Sequence, residues 1–418
     1  MPAYARKTPL ILSVASLLVL PALTSLVTTG GMPPGFGIFP PQQSPNVPGF
    51  HPLALLIASA IAGLISAFLL FPRRFGFKPA PSAPVRAEPT IQRRFPAWFW
   101  PGAVMCIISW IAMWGQFAAL GSLIHYTFVP LWWGFILAID GLVYRRTGGR
   151  SLIAKYPLRM VAIAISSSAG WYLFEYLDYF VLSNWYYPHN DIFSSAGYLV
   201  WFGLAYTTVL PSIFEWYNLL MTFDGLRNRY AYGPKLAPSR RAWWIALAVG
   251  ALSLIALVIW PFYTFFMLWI CPLLILTATL ALSGYWTPLT PISRGDWSMV
   301  VLVGLACLIN YFIGEMWNYW SPPNNPNYWK YDVPFVNVLH VFEMPALGFF
   351  GYLPFGVMCW VWWLYTAYGF GLSPYIDVVS AGDETQESSM SREAGRQRQR
   401  AGERRSGDQP HPGAQPHR

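Results

Sequence analysis

The sequence predicts an all-α fold, a polytopic integral membrane helix bundle of about ten transmembrane helices. It is expected to contain two leading spans and a tandem parallel repeat of four spans each. Three observations predict this fold. The chain is 55% hydrophobic and only 11% charged, whereas soluble domains are about 25% charged. Apolar runs long enough to cross the hydrocarbon core recur along it. A pattern of acidic and aromatic residues also occurs twice.

Helices are the expected spanning form, because the apolar runs lack the alternation of barrel strands. The first run is long and lacks a small-residue cleavage site, so a retained span is expected instead of a signal peptide. Pro345 and Pro354 are expected to kink or break the last run. The ten predicted spans are 8–28, 51–72, 102–123, 126–144, 159–182, 195–220, 242–261, 264–284, 298–320 and 336–365.

Positive charges predict the orientation of these spans. Seventeen Arg and Lys residues lie in the loops after the second, fourth, sixth and eighth spans, and the opposite loops hold only Lys330. Because cytoplasmic loops are enriched in Arg and Lys, both termini are expected in the cytoplasm of a multi-pass cell-membrane protein. The net charge of +9 is therefore attributed mainly to topology, and nucleic acid is not a predicted partner.

The two copies of the pattern align at an offset of 140 residues. The segment "WYLFEYLDYF" (171–180) lies over "YFIGEMWNYW" (311–320), which aligns Glu175 with Glu315 and Asp178 with Asn318. Downstream, "NWYY" (184–187) resembles "YWKY" (328–331) after a four-residue slip. Four spans per copy give both copies one orientation, so a pseudo-two-fold axis along the membrane normal is expected.

The predicted organisation follows from these patterns. The four cysteines all lie in predicted spans without metal-like spacing, and we expect them to be buried as apolar groups. The segments are two leading spans with a Pro- and Gly-rich outer loop (1–72), a basic cytoplasmic linker (73–95), the first repeat (96–235), the second repeat (236–378) and a disordered cytoplasmic tail (379–418).

Carboxylates near the outer ends of spans predict a functional site. Residues at i and i+3 share one face of a helix, so each copy presents a Glu–Asp or Glu–Asn pair to one side. His340 and Glu343 are also three residues apart, on the predicted last span. Asp140, near an inner helix end, has Arg145 or Arg146 as its expected partner. The predicted catalytic residues are Glu175, Asp178, Glu315, Asn318 and Glu343, and the predicted substrate-binding residues are Trp171, Trp185, Tyr187, Trp317, Trp329, Tyr331 and His340.

Three interpretations of this acidic set remain open. The polar groups can stabilise helix packing, or they can form a substrate or proton pathway, the usual role of intramembrane carboxylates. A metal site formed by Glu175, Glu315, His340 and Glu343 is a weaker alternative, because the His-x-x-Glu order reverses that of di-metal bundles. No cofactor is predicted.

A family resemblance rests on the same segments. "EMWNYW…YWKY…FEMP" and the looser "EYLDYF…NWYY…LPSIFE" resemble modules of membrane lycopene cyclases of the heterodimeric or fused-domain type. Those modules carry a Trp–Asp element, a Trp-x-aromatic loop and a helix that opens with Pro and Glu. This chain has one Glu where the family has two adjacent ones, and it has additional leading spans.

The resemblance implies non-redox acid catalysis on an isoprenoid, in which one carboxylic acid protonates a double bond and a second carboxylate stabilises the cation. Aromatic faces also stabilise cations. The expected partners are a membrane lipid or isoprenoid, anionic lipid at the cytoplasmic basic loops, and a partner in a membrane complex. The alternative functions are a proton-coupled transporter of a small or lipidic solute, or a non-catalytic subunit of such a complex.

Overall fold

Helices account for most of the chain in the computed structural model, which describes residues 4–44, 46–80 and 94–379. Most of the predicted linker (81–93) and the predicted disordered tail (380–418) lie outside the described residues. The described helices are α1 (Tyr4–Thr29), α2 (Pro52–Leu70), α3 (Phe99–Gly115), α4 (Phe128–Arg146), α5 (Leu152–Lys155), α6 (Pro157–Asp178), α7 (Ser195–Tyr206), α8 (Val209–Met221), α9 (Asp224–Tyr230), α10 (Arg240–Ile259), α11 (Pro261–Thr264), α12 (Met267–Leu282), α13 (Ser298–Tyr319) and α14 (Tyr352–Phe370).

Four two-residue strands complete the regular structure. They form two antiparallel pairs, β1 with β2 and β3 with β4. The strands are β1 (Trp185–Tyr186), β2 (Lys330–Tyr331), β3 (His340–Val341) and β4 (Met344–Pro345).

Seven helical segments of the described chain are long and apolar enough to cross a membrane. An eighth appears if α3 and the short 3-10 segment Ala118–Tyr126, bent by 119° from it, count as one span. This finding confirms the predicted helical fold and is consistent with a multi-pass membrane protein. Helices also occupy the other predicted positions, but α12 has only 16 residues and α6 carries polar residues along its length. The count of ten spans therefore stays a prediction.

The predicted last span is wrong in its first half. Residues 336–351 form the β3–β4 hairpin and a 3-10 turn, and the helix begins only at Tyr352. Phe335, Leu339 and Phe342 adopt positive φ angles of 66°, 56° and 60°. Residues other than Gly rarely adopt this backbone conformation. A continuous helix through this segment is therefore impossible in this structure.

The loops of the bundle gather at two opposite ends. At the basic end, the backbone of Lys78 bonds to Tyr232, and Gly233 bonds to Gly295. At the other end, here called the aromatic end, Tyr187 bonds to Pro41. In each of these contacts the two loops are separated by an even number of predicted spans, as an alternating up-and-down path requires.

Close helix contacts depend on small residues. Helix α3 packs on α4, and α10 packs on α12. A Cβ at Gly134 of α4 would lie 2.5 Å from the backbone nitrogen of Cys106, so only glycine allows the α3 and α4 backbones to approach this closely. All four cysteines are buried and free, as predicted.

Helix α2 differs from the other long helices because Ala62 is its only buried residue. The contacts within the chain group residues up to Ile376 into one unit. Of the second unit, which begins at Asp377, only residues 377–379 are described.

Candidate functional site

The first carboxylate lies near the end of α6 inside a set of aromatic donors. Glu175 is 2% exposed, and its Oε1 accepts hydrogen bonds from Trp171 Nε1 (2.9 Å), Tyr187 OH (2.6 Å) and Tyr206 OH (2.7 Å). Trp185 Nε1 lies 3.3 Å from both carboxylate oxygens. We call these five residues the first carboxylate box.

The second carboxylate has a similar surrounding near the end of α13. Glu315 is fully buried, and its Oε1 accepts bonds from Trp329 Nε1 (3.2 Å), Tyr331 OH (2.6 Å) and Tyr352 OH (2.8 Å). Tyr311 occupies the position four residues before the Glu and stacks on Tyr352, with ring centroids 4.5 Å apart. These five residues form the second carboxylate box.

The two boxes differ in how completely the carboxylate is hydrogen-bonded. Both oxygens of Glu175 have donors. Glu315 Oε2 has no partner among the described residues, and neither does the Tyr311 hydroxyl, although both atoms are buried. A buried carboxylate oxygen without a donor disfavours the charged form, so the two glutamates are held in chemically different environments.

The polar residue three positions after each Glu anchors the loop that completes its box. Asp178 Oδ1 accepts from the backbone nitrogen of Asn184 at 2.8 Å. Asn318 holds Trp329 at two points, because Oδ1 accepts from the Trp329 nitrogen (3.0 Å) and Nδ2 donates to its oxygen (2.8 Å). These two predicted catalytic residues are buried behind the aromatic donors and position them.

The two boxes are joined directly. Strand β1 of the first pairs with β2 of the second, in a register that places Trp185 opposite Tyr331. The rings of Trp171 and Tyr311 also stack across the junction, with centroids 6.5 Å apart. The sequence segments that look alike therefore lie beside each other in the fold.

A single apolar cavity of about 740 Å³ lies between the boxes. The four aromatic residues of each box line it, whereas Glu175 and Glu315 lie behind those rings. Further walls come from α2, from Trp269 of α12 and from Phe355 of α14. This volume is within the range of pockets that enclose small organic ligands.

The loop tyrosines that face the carboxylates stay protonated. Burial, and then the charge of Glu175, raises the pKa of Tyr187 well above its usual value. Burial and Glu315 raise the pKa of Tyr331 in the same way. Both hydroxyls therefore remain hydrogen-bond donors at neutral pH.

Three predicted site residues lie away from the cavity. Trp317 packs among Trp132 and Phe135, with ring centroids 5.1 and 5.0 Å away. His340 is exposed on β3 and contacts Asn337 Oδ1. Glu343 lies in the β3–β4 hairpin, where its carboxylate accepts a bond from Tyr328 OH. The last two residues share no helix face, contrary to the prediction, because the hairpin replaces the helix.

The structure does not assemble the alternative metal site. Among the described residues, no group of three or more His, Cys, Asp and Glu side chains is placed to hold a metal ion.

The expected ion pair of Asp140 is also wrong. Asp140 Oδ1 accepts from Trp98 Nε1 (2.9 Å) and Ser151 Oγ (2.8 Å), and Oδ2 accepts from the Ile153 nitrogen. The residue is fully buried, while Arg146 donates to Thr222 Oγ1 and Arg145 lies over the Phe95 ring. The carboxylate instead anchors the turn after α4.

Three of the box residues were not predicted from the sequence. The fixed offset aligns Tyr311 with Trp171, but it does not align Tyr206 with Tyr352. Tyr206 and Tyr352 occupy corresponding places in the boxes but are 146 residues apart, because the loops before them differ in length. An alignment with a second gap would have matched these two tyrosines, because a Pro follows each of them within a few residues.

No known protein family, curated protein or solved structure matches this chain.

Proposed function

We propose that this chain is an integral membrane enzyme that performs non-redox acid–base chemistry on an isoprenoid or another apolar lipid bound in the cavity. One observation carries the proposal: two buried carboxylates, each hydrogen-bonded to aromatic donors, flank one apolar cavity lined by those same aromatic rings. A buried carboxylate without a cation is costly, and function is the common reason for such a cost.

The geometry supports different roles for the two glutamates. Glu175, with donors on both oxygens, is suited to remain an anion that stabilises positive charge in the cavity. Glu315, with one oxygen lacking a donor, is suited to carry the proton. Two carboxyl groups in environments of this kind are a common arrangement for an acid and a base.

Tyrosine hydroxyls supply the connection to the substrate. Tyr331 and Tyr352 both bond to Glu315 Oε1 and lie 3.1 Å apart at their hydroxyls. Because both rings line the cavity, one hydroxyl can turn to give its proton to a bound lipid while it takes up the carboxyl proton of Glu315, which leaves the tyrosine neutral and Glu315 as the anion. The ring faces of both boxes then stabilise the resulting positive charge.

The architecture that we propose around this site is a ten-span protein with two copies of a four-span unit. Packing of α4 on α8 and of α12 on α14, together with the β1–β2 pairing, supports a two-fold relation between the copies. The gathering of basic loops at one end supports cytoplasmic termini, and these loops are suited to contact anionic lipid. The aromatic end then faces outward, and it is where both boxes lie.

The proposal is tested by Glu315→Gln and Glu175→Gln, with Glu343→Gln as the matched control. Each variant keeps its shape but loses a carboxylate. Lipids extracted from the purified proteins and from their host membranes are compared by mass spectrometry. We expect the parent and the control to convert a bound lipid, and both box variants to retain the lipid unconverted. Equal conversion by all four proteins would contradict the proposal.

A proton-coupled transporter is the second candidate, and one observation favours it. Helix α2 lines the cavity yet has little buried surface, so the cavity borders directly on the surroundings of the bundle. A transporter would move its solute unchanged. Reconstituted vesicles would then show transport that Glu315→Gln abolishes, with no new product in the extract.

A further inference from the structure

One wall of the cavity carries a polar group that the proposed chemistry does not use. Asn310 lies in the middle of α13, lines the cavity and is 1% exposed. Its Oδ1 is buried and has no hydrogen-bond partner among the described residues. The adjacent Tyr311 also lines the cavity, and its hydroxyl lacks a partner as well.

This lack of a partner separates Asn310 from three other buried asparagines of the described chain. Asn318 Oδ1 accepts from Trp329, Asn325 Oδ1 from Asn327, and Asn327 Oδ1 from Trp201. Buried polar atoms in folded proteins are almost always bonded, and an amide that only joins helices has its partner within the protein. Asn310 instead lines a space large enough for a ligand, and its Oδ1 is buried at the wall of that space without a partner in the described chain.

The two halves of the cavity are unequal at this position. The residue 140 positions before Asn310 is Gly170, and a Cβ there would lie 2.6 Å from the indole nitrogen of Trp362. The first half therefore has no room for a polar side chain at this place. An asymmetric wall can hold an asymmetric ligand in one orientation.

Resting on the proposed function, we infer that the cavity binds a lipid alcohol whose hydroxyl donates a hydrogen bond to Asn310 Oδ1. A hydroxyl supplies the missing donor, and it also accepts, so Tyr311 can serve as a second partner. The remaining apolar chain occupies the cavity between the aromatic rings. The substrate class is thus an amphiphile with one terminal hydroxyl, and a pure hydrocarbon leaves Asn310 unbonded.

The test uses two probes, geranylgeraniol and its methyl ether, which differ in the ability to donate a hydrogen bond. Binding to the purified full chain in nanodiscs is followed by quenching of tryptophan fluorescence. One neutral hydrogen bond corresponds to a preference of about three- to tenfold, so the parent is expected to bind the alcohol more tightly by that factor. Asn310→Leu is expected to bind both probes within about twofold of each other.

Thr208→Val is the matched control. Thr208 also lines the cavity, but its hydroxyl already donates to the Ala205 carbonyl, so this variant is expected to keep the parent's preference. Equal binding of both probes by the parent would overturn the inference without any variant, and so would a preference that survives in Asn310→Leu.

The inference and the proposed function fail in distinguishable ways. If the parent prefers the alcohol and Glu315→Gln leaves lipid conversion unchanged, the proposed chemistry is wrong and the binding inference stands. If Glu315→Gln abolishes conversion while alcohol and ether bind equally, only the inference is wrong. Binding of neither probe overturns the inference and the assignment of an isoprenoid ligand together.

Discussion

Replacing Asn318 by Ala removes the two-point attachment of the loop that completes the second carboxylate box. Asn318 bonds both the nitrogen and the oxygen of Trp329, and Trp329 Nε1 in turn donates to Glu315. Loss of a partner from a buried backbone group costs about 1–3 kcal/mol. With two such groups left unpaired, we expect a loss of about 2–6 kcal/mol in the free energy of unfolding.

The measurement is the apparent melting temperature of the detergent-purified protein, followed by tryptophan fluorescence. A chain of 418 residues is expected to melt about 1 °C lower for each kcal/mol lost, so the expected decrease is about 2–6 °C. Asp178→Asn is the comparison variant. It keeps the acceptor for the Asn184 nitrogen and removes a buried carboxylate whose Oδ2 has no partner in the described chain, so it is expected to leave the melting temperature unchanged or to raise it.

Two results would refute this reasoning. The first is an Asn318→Ala protein that melts within about 1 °C of the parent, which would mean that water or a rearranged loop replaces both bonds at little cost. The second is an Asp178→Asn protein that is less stable than the parent, which would mean that the ionised Asp178 has a stabilising partner other than Asn184.

Three further predictions concern packing, pH and topology. Gly134→Ala forces a methyl group into a neighbouring backbone and should lower the free energy of unfolding by about 1–3 kcal/mol, while Gly63→Ala, with open space at that Cβ, should leave it unchanged or raise it. Because burial and Glu315 raise the pKa of Tyr331 above 10.0, its contribution to stability is complete below about pH 10 and is lost at higher pH. In Tyr331→Phe the decline in melting temperature above that pH should therefore be shallower, and an equal decline would contradict this assignment. Reporter fusions should place Pro326 outside and Pro234 in the cytoplasm, and a cytoplasmic Pro326 would reject the ten-span arrangement.

The positions of the helices could be predicted because lipid imposes a simple requirement. A spanning segment must be apolar and must satisfy its own backbone, and both conditions are readable along the chain. The prediction failed at 336–351, where composition is apolar but the backbone turns. Phe335, Leu339 and Phe342 adopt positive φ, and such aromatic and aliphatic residues give no local sign of a turn. Contacts with distant segments, such as the bond from the Phe335 nitrogen to the Pro48 oxygen, hold this conformation together with short-range bonds inside the segment.

The two glutamates at the centre of the site could be predicted because the pattern that marks them lies within a single helix. A Glu on a helix and a polar residue three positions later share a face, so Glu175 and Glu315 were found with their anchors. Tyr206 and Asn310 could not be found in this way. Tyr206 reaches the first box from a different helix. Asn310 is notable only because its buried oxygen has no partner in the described chain and the residue lines the cavity, and both facts require the folded structure.

The short pairing of β1 with β2 has a consequence for the order in which the two halves of the chain fold. An unpaired strand edge exposes backbone groups that attract other chains, and here each half of the protein covers the edge of the other. Trp185 and Tyr331, which lie opposite each other in this pairing, belong to different boxes. Each half anchors its aromatic loop through Asp178 or Asn318, but the edge of that loop is paired only by the other half, so both boxes are complete only after the second half has been synthesised and has folded against the first.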